Sequence, residues 1–199
     1  MTTASKPVVY MIVMPDNPIS MYFRGRVETS WTDRGFKLEY FNAVTPQTIA
    51  EQKHKLKFGL KKSPNPNHIR EFSETEKAVW YSHFGVWNIA RRKQSPIIVI
   101  EHDTLLLKPI NSRIFKNVKM MGLCHSLLRD GTMGTTAGAG YYLTRDIANE
   151  MCREATEHEI KFNSDALIHR KIDKYGANWK THYCEQIRND SVGTTIHHG

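Results

Sequence analysis

Cysteine is scarce: only Cys124, Cys152 and Cys184 occur in 199 residues. Three thiols so widely spaced exclude a disulfide framework and a zinc cluster, and they point to a reducing compartment. Long hydrophobic runs are missing too. The N-terminal V-V-Y-M-I-V-M is too short for a signal-peptide core or a membrane span, so the expectation is a cytoplasmic protein. Neither G-x-x-x-x-G-K-S/T nor G-x-G-x-x-G is present, which excludes the two common phosphate loops. No internal repeat or low-complexity tract appears. Acidic residues are in deficit, 20 against 28 lysines and arginines, for a net charge of +8. That balance draws the chain to polyanions: nucleic acid, phosphorylated glycans or an anionic membrane surface.

What is present fits one domain spanning residues 1–199 with a real apolar core. Val8–Met14 is a short apolar run with β-branched residues, ended by Pro15-Asp16-Asn17-Pro18, and reads as a buried strand and a turn. Residues 19–34 have helix-compatible spacing with Gly35 at the stop, and Lys37–Phe41 alternates like a half-buried strand. This β-α-β order predicts a parallel sheet. Residues 47–70 carry Lys53, Lys55, Lys57, Lys61 and Lys62 before S-P-N-P-N, a basic insertion or loop that is either a solvated face or a contact for an anionic acceptor.

The strongest helix signal follows. Ser73 and Glu76 form an S-x-x-E capping box, and Val79, Trp80, His83, Phe84, Trp87 and Ala90 recur on one face, with both tryptophans in the core. Arg91-Arg92-Lys93 suits the helix C-terminus, and Pro96 opens a strand Ile97–Ile100. That strand runs directly into Glu101-His102-Asp103. In an open α/β sheet, ligands bind beyond the carboxyl ends of the strands. Two residues apart in extended chain, Glu101 and Asp103 point to one side, and a divalent cation there relieves their repulsion because hard cations take oxygen ligands. The structural alternative is a polar strand end, with Glu101 paired to a lysine and Asp103 capping a turn. His102 faces the other way. Asp165, in N-S-D-A-L, is either a reactive carboxylate or a helix N-terminal residue stabilised by the dipole. His83 is either a satisfied core histidine or a brace for the Glu101 strand. Gly131, Gly134, Gly138 and Gly140 suggest a mobile loop leading into a strand at Tyr141–Leu143. Residues 185–199 read as a C-terminal tail, in which His197 and His198 are a flexible end or a late metal ligand.

Several stretches occur together in order: P-D-N-P-I-S-M-Y-F-R-G-R after the first strand, Phe41-Asn42-Ala43-Val44, T-E-K-A-V-W-Y-S-H-F-G-V-W, Glu101-His102-Asp103, G-A-G-Y-Y-L-T-R from Gly138 to Arg145, and N-S-D-A-L. In this order, from about Val8 to Leu167, they resemble glycosyltransferase family 25, whose members build lipopolysaccharide and collagen glycans. Histidine stands where that family has the middle acid of E-D-D, and the family's adjacent arginines are missing from the N-terminal loop.

The resemblance implies a GT-A-like, Rossmann-type α/β domain with a mostly parallel central sheet. It implies a hexosyl- or pentosyltransferase that uses a nucleotide sugar, a UDP-sugar by preference, with Mn²⁺ or Mg²⁺ held by Asp103. Glu101, His102, Arg24, Gly138 and Tyr141 would bind the donor. His83, Ser82 and Glu76 would lie at the acceptor side or behind the site, and Asp165 would be the base of an inverting displacement. The acceptor expectation leans to 5-hydroxymethylcytosine in phage-type DNA, which would put the protein in a host cytoplasm, on the strength of small size, basic charge and no amphipathic membrane helix. A lipopolysaccharide or other glycan acceptor is the alternative, and a non-catalytic nucleic-acid-binding protein the further one.

Overall fold

Val8–Val13, rich in β-branched residues, forms β1, buried from Val9 onward. Asn17 ends the following turn as an N-cap, its Oδ1 accepting from the backbone N–H groups of Ile19 (2.9 Å) and Ser20 (3.1 Å). With Pro18 at its start, α1 (Pro18–Thr32) buries Ser20, Phe23, Val27 and Trp31 along one stripe. Gly35 then takes φ of +74°, a conformation that L side chains resist. The chain returns as β2 (Leu38–Asn42), parallel to β1, so the first β-α-β unit forms as its periodicity predicts. These elements belong to a computed structural model that describes residues 6–62, 69–127, 133–135, 138–176 and 182–187.

An irregular, basic stretch follows, with one short 3₁₀ turn at Ile49–Glu51. It is tied down: Leu56 is buried and its N–H donates to the Tyr81 hydroxyl at 3.0 Å. Helix α2 (Glu74–Arg92) starts at the expected capping box, in which Ser73 accepts from the Glu76 N–H and Glu76 accepts from the Ser73 N–H. It leads to β3 (Ile97–Glu101), parallel to β1 on the side away from β2. After β3 come β4 (Thr104–Leu106), a 3₁₀ turn at Ser112–Phe115, β5 (Met120–Gly122), β6 (His125–Leu127), β7 (Met133–Thr135) and β8 (Gly140–Leu143). Helices α3 (Arg145–Glu157) and α4 (Ser164–Tyr175) and the strand β9 (Cys184–Gln186) complete the described chain. No helix among the described residues is long and apolar enough to cross a membrane.

The central sheet has the order β2-β1-β3-β8-β5. β8 is antiparallel to both neighbours, so four of the five strands share one direction. Side chains alternate between its two faces. Tyr10, Ile12, Ile97 and Val99 join α2, α3 and α4 in one cluster, whereas Val9, Met11, Ile98 and Ile100 meet Val27 and Trp31 of α1 in the other. Each such fully buried aliphatic contributes roughly 1.5–3 kcal/mol. Growing the sheet outward from β1 in both directions leaves a crevice at the carboxyl ends of β1 and β3.

The α2 cap carries a pH dependence. Burial alone would raise the Glu76 carboxyl, but hydrogen bonds from Arg70, then Lys61 and the Ser73 backbone, outweigh it and hold the pKa at about 2. A depressed folded-state pKa means the stabilisation is present above the ordinary carboxyl value and is lost as pH falls towards about 2. Urea titrations should show Ser73→Ala losing about 1 kcal/mol at pH 7, and Glu76→Gln should remove part of the acid-limb slope seen in the wild type.

Candidate active site

The crevice holds a cleft with a mostly apolar lining and a few polar groups, the composition common to small-molecule sites. Ile12 closes it from β1 and Met14 from just beyond that strand, Val44 and Pro46 from the loop after β2, Val79 from α2, and Glu101 with His102 from the tip of β3. Ser82 builds a wall of it: its Oγ accepts from the Val44 N–H (2.9 Å) and donates to the Ala78 carbonyl (2.9 Å), clamping the Ala43–Val44 loop onto α2.

The tip of β3 departs from a plain extended strand. β3 ends at Glu101, and His102-Asp103 is a turn before β4, so strand alternation is not what brings the two carboxylates to one side. The side-chain amide of Gln186 does so. Its Nε2 donates to Glu101 Oε2 at 3.0 Å and lies 3.5 Å from Asp103 Oδ1. The Glu101 side chain is 22% exposed. Burial works to raise its pKa, but the adjacent His83 ring, then His102 and Gln186, outweigh it and keep Glu101 ionised below the usual carboxyl range. His102 is buried, and burial, only partly opposed by the Glu101 charge, lowers its pKa, so its ring is neutral at pH 7. Its Nε2 has no hydrogen-bond partner among the described residues.

Behind Glu101 runs a buried relay. Trp87 Nε1–H donates to the Tyr141 hydroxyl at 2.8 Å, and that hydroxyl lies 3.0 Å from His83 Nδ1. Burial, above all, pushes the Tyr141 hydroxyl well above its ordinary pKa, so it keeps its proton. Having accepted from Trp87, it uses that proton to donate to Nδ1, which leaves the His83 proton on Nε2. Nε2 stands 3.8 Å from Glu101 Oε1, so the ring presents an N–H towards the carboxylate.

Gly138 and Asp165 meet at the same place. A Cβ at position 138 would overlap the Asp165 carboxyl and come within 3.6 Å of His83 Nε2; only the missing side chain lets α4 bring Asp165 this close. The glycine is held there because the Ala139 carbonyl accepts from the Glu101 N–H (3.0 Å) and from Thr104 Oγ1–H (2.7 Å). Asp165 lies in the first turn of α4, capped by Asn163, so it is both a helix N-terminal acid and a neighbour of the site.

Of the expected residues, Ser82, His83, Glu101 and His102 line the cleft; Asp103 adjoins them in the turn after β3, Gly138 and Asp165 stand beside His83, and Tyr141 lies buried behind it, while two other expected residues are not at this place. Glu76 spends its carboxylate on Ser73, Arg70 and Lys61. Arg24 lies over the Tyr40 ring, 3.9 Å from its centroid, and does not line the cleft. Gly131, His197 and His198 lie outside the described residues, as does most of the expected tail; its first residues, Glu185 and Gln186, instead belong to β9. Gln186 is the functional candidate the sequence hides: an isolated glutamine in a three-residue strand, 83 positions from Asp103, carries no local signal. Among the described residues no three His, Cys, Asp or Glu side chains form a group that could hold a metal ion by themselves.

A family model described as glycosyltransferase family 25 (LPS biosynthesis protein) matches residues 23–125, just over half of the chain, and this span includes His83 and the Glu101-His102-Asp103 tip. No curated protein matches the chain.

The relay is checked by ¹⁵N NMR of the histidine rings: His83 should carry its proton on Nε2. Tyr141→Phe removes the group joining Trp87 to His83, leaves both buried nitrogens unpaired and should cost about 1–3 kcal/mol of stability.

Proposed function

The chain belongs to glycosyltransferase family 25, and from that membership we propose that its cleft binds a nucleotide sugar with the diphosphate at Glu101 and Asp103 and transfers the sugar to an acceptor hydroxyl. As a glycosyltransferase it is an enzyme, which takes the place of the non-catalytic reading. The observation that carries the rest is the pairing of two carboxylates by one amide at the end of β3, beside the crevice of a mostly parallel sheet. That placement supports a GT-A-like, Rossmann-type reading of the fold, in which the nucleoside fills the cleft beside Val44 and the diphosphate lies at the strand tip.

The donor set fits a hard divalent cation. Mg²⁺ and Mn²⁺ favour oxygen ligands, and Mg²⁺ in particular binds through one or two carboxylates together with substrate phosphates. Asp103 would hold it, with Glu101 beside it accepting from a ribose hydroxyl or a metal-bound water. Such a cation, when bound, supplies Lewis-acid stabilisation of the leaving diphosphate.

The remaining chemistry belongs to the chain. In an inverting displacement the acceptor oxygen forms its bond to the anomeric carbon as the bond from that carbon to the diphosphate breaks, and the hydroxyl proton goes to Asp165. Gly138 leaves the space in which that carboxylate stands. The His83–Tyr141–Trp87 relay fixes the protonated face of His83 towards Glu101, orienting the donor end of the site.

The net charge of +8 supports a polyanionic acceptor. Duplex DNA bearing 5-hydroxymethylcytosine is one such acceptor, with phosphate contacts giving most of the affinity and the base swung out to the donor. A phosphorylated or lipopolysaccharide glycan is the second, favoured by the family's description as LPS biosynthesis proteins.

A thermal-shift screen of nucleotide sugars with and without Mn²⁺ tests the donor reading: one donor should raise Tm only with the metal, and Asp103→Asn should abolish that rise. Asp165→Asn should keep the rise while transfer falls by about 10²–10⁴-fold. Radiolabelled transfer to hydroxymethylated duplex or to a lipopolysaccharide oligosaccharide then assigns the acceptor. Metal-independent shifts, or an Asp165→Asn enzyme of normal rate, would remove the proposed roles of these carboxylates.

A further inference from the structure

Gln186 reaches the site from the far end of the described chain. β9 pairs antiparallel with β4, placing Gln186 opposite Thr104, and the Ile187 N–H donates to the Asp103 carbonyl at 2.8 Å. The backbone of Asp103 and of the strand that leaves its turn is thus fastened to the backbone around Gln186. β9 is anchored in turn: Cys184 is fully buried, its N–H donates to the Leu123 carbonyl at 2.9 Å, and its backbone pairs in parallel with that of Cys124, both thiols being unoxidised. At the start of β4, Trp31 Nε1–H donates to the Thr104 carbonyl at 3.0 Å.

The chemistry of the amide suits this place. A glutamine NH₂ has two protons and can serve two acceptors at once, and facing two carboxylates it must present that end. Being neutral, it holds two like charges together without cancelling either. A lysine or arginine in its place would neutralise the pair and compete with a cation, whereas an apolar residue would set no donor between two like charges whose repulsion grows as water is excluded.

We infer that Gln186 is a positioning residue for the donor end of the site, setting the separation and orientation of Glu101 and Asp103 so that both face one cation and diphosphate. This rests on the reading that those two carboxylates meet the donor's diphosphate. Gln186 acts through the carboxylates, as outer-shell partners of ligating groups commonly do. Its effect falls on donor and metal affinity and leaves the acceptor side, built from Asp165 and Gly138, intact.

Calorimetric titration of the full-length protein with Mn²⁺ and UDP, compared across wild type, Gln186→Ala and Glu185→Ala, tests the role. Glu185 is the exposed neighbour on the same strand, so its variant reports damage to β9 itself. Gln186→Ala should weaken Mn²⁺-dependent UDP binding by about 10–100-fold and raise the donor KM more than it lowers kcat, with a Tm matching that of Glu185→Ala, which should bind like wild type. Wild-type affinity in Gln186→Ala would overturn the inference while leaving the donor reading in place. Equal loss in both variants, with Tm lowered, would reduce Gln186 to a structural part of β9 and overturn it as well. A wild-type protein without Mn²⁺-dependent UDP binding would remove the underlying reading and the role of Gln186 with it.

Discussion

Like charges held close beside a nearly dry interior are the constraint around which this protein is organised. Glu101 ends a strand whose four preceding residues are all buried, and Asp103 follows within the same turn. At 4 Å, two unit charges repel by about 1 kcal/mol in bulk water and by several times that near a protein surface. The chain meets this repulsion with donors aimed at the carboxylates: the Gln186 amide between the pair and the His83 N–H on the inner side of Glu101. Neither requires an arginine or lysine at Glu101, so the carboxylate keeps its charge available to a ligand.

The fold explains how donors from distant sequence reach one point. A parallel β-α-β-α-β core places the tips of β1, β2 and β3 at one edge, where side chains are free of the sheet's interior. β8, running the other way, brings Ala139 and Gly138 back to that edge, and the two hydrogen bonds to the Ala139 carbonyl lock them there. α4 then enters with Asp165 over the glycine. The family match covers the β3 tip and α2 but ends before Gly138, Asp165 and Gln186, so the groups that stand behind and beside Glu101 and His83 come from the part of the chain beyond it.

Local signals were legible where the physics is local. The first β-α-β unit, the Ser73–Glu76 capping box and the buried strand at residues 97–100 follow from periodicity and end-capping, and all are present. Glu101 and Asp103 do sit together, but by a turn and a distant glutamine, not by strand alternation. β4, β5 and β9 have three residues each, too few for any period to show, and Gln186 matters only because β9 lands on β4. Glu76 and Arg24 occupy motif-like positions, yet nearby basic groups claim the first and an aromatic face the second. A motif gives residue type and order; which side chains are already satisfied is decided by packing.

In the proposed donor complex a divalent cation and a diphosphate share the Glu101–Asp103 pair. Paramagnetic broadening by Mn²⁺ in the presence of a nucleoside diphosphate tests it most directly, because the effect is steep in distance and needs no turnover. NMR spectra should lose the Gln186 side-chain amide and the His102 ring signals first, and Asp103→Asn should restore them. Sharp Gln186 and His102 signals at saturating metal and nucleotide, or the same broadening in Asp103→Asn, would contradict the account.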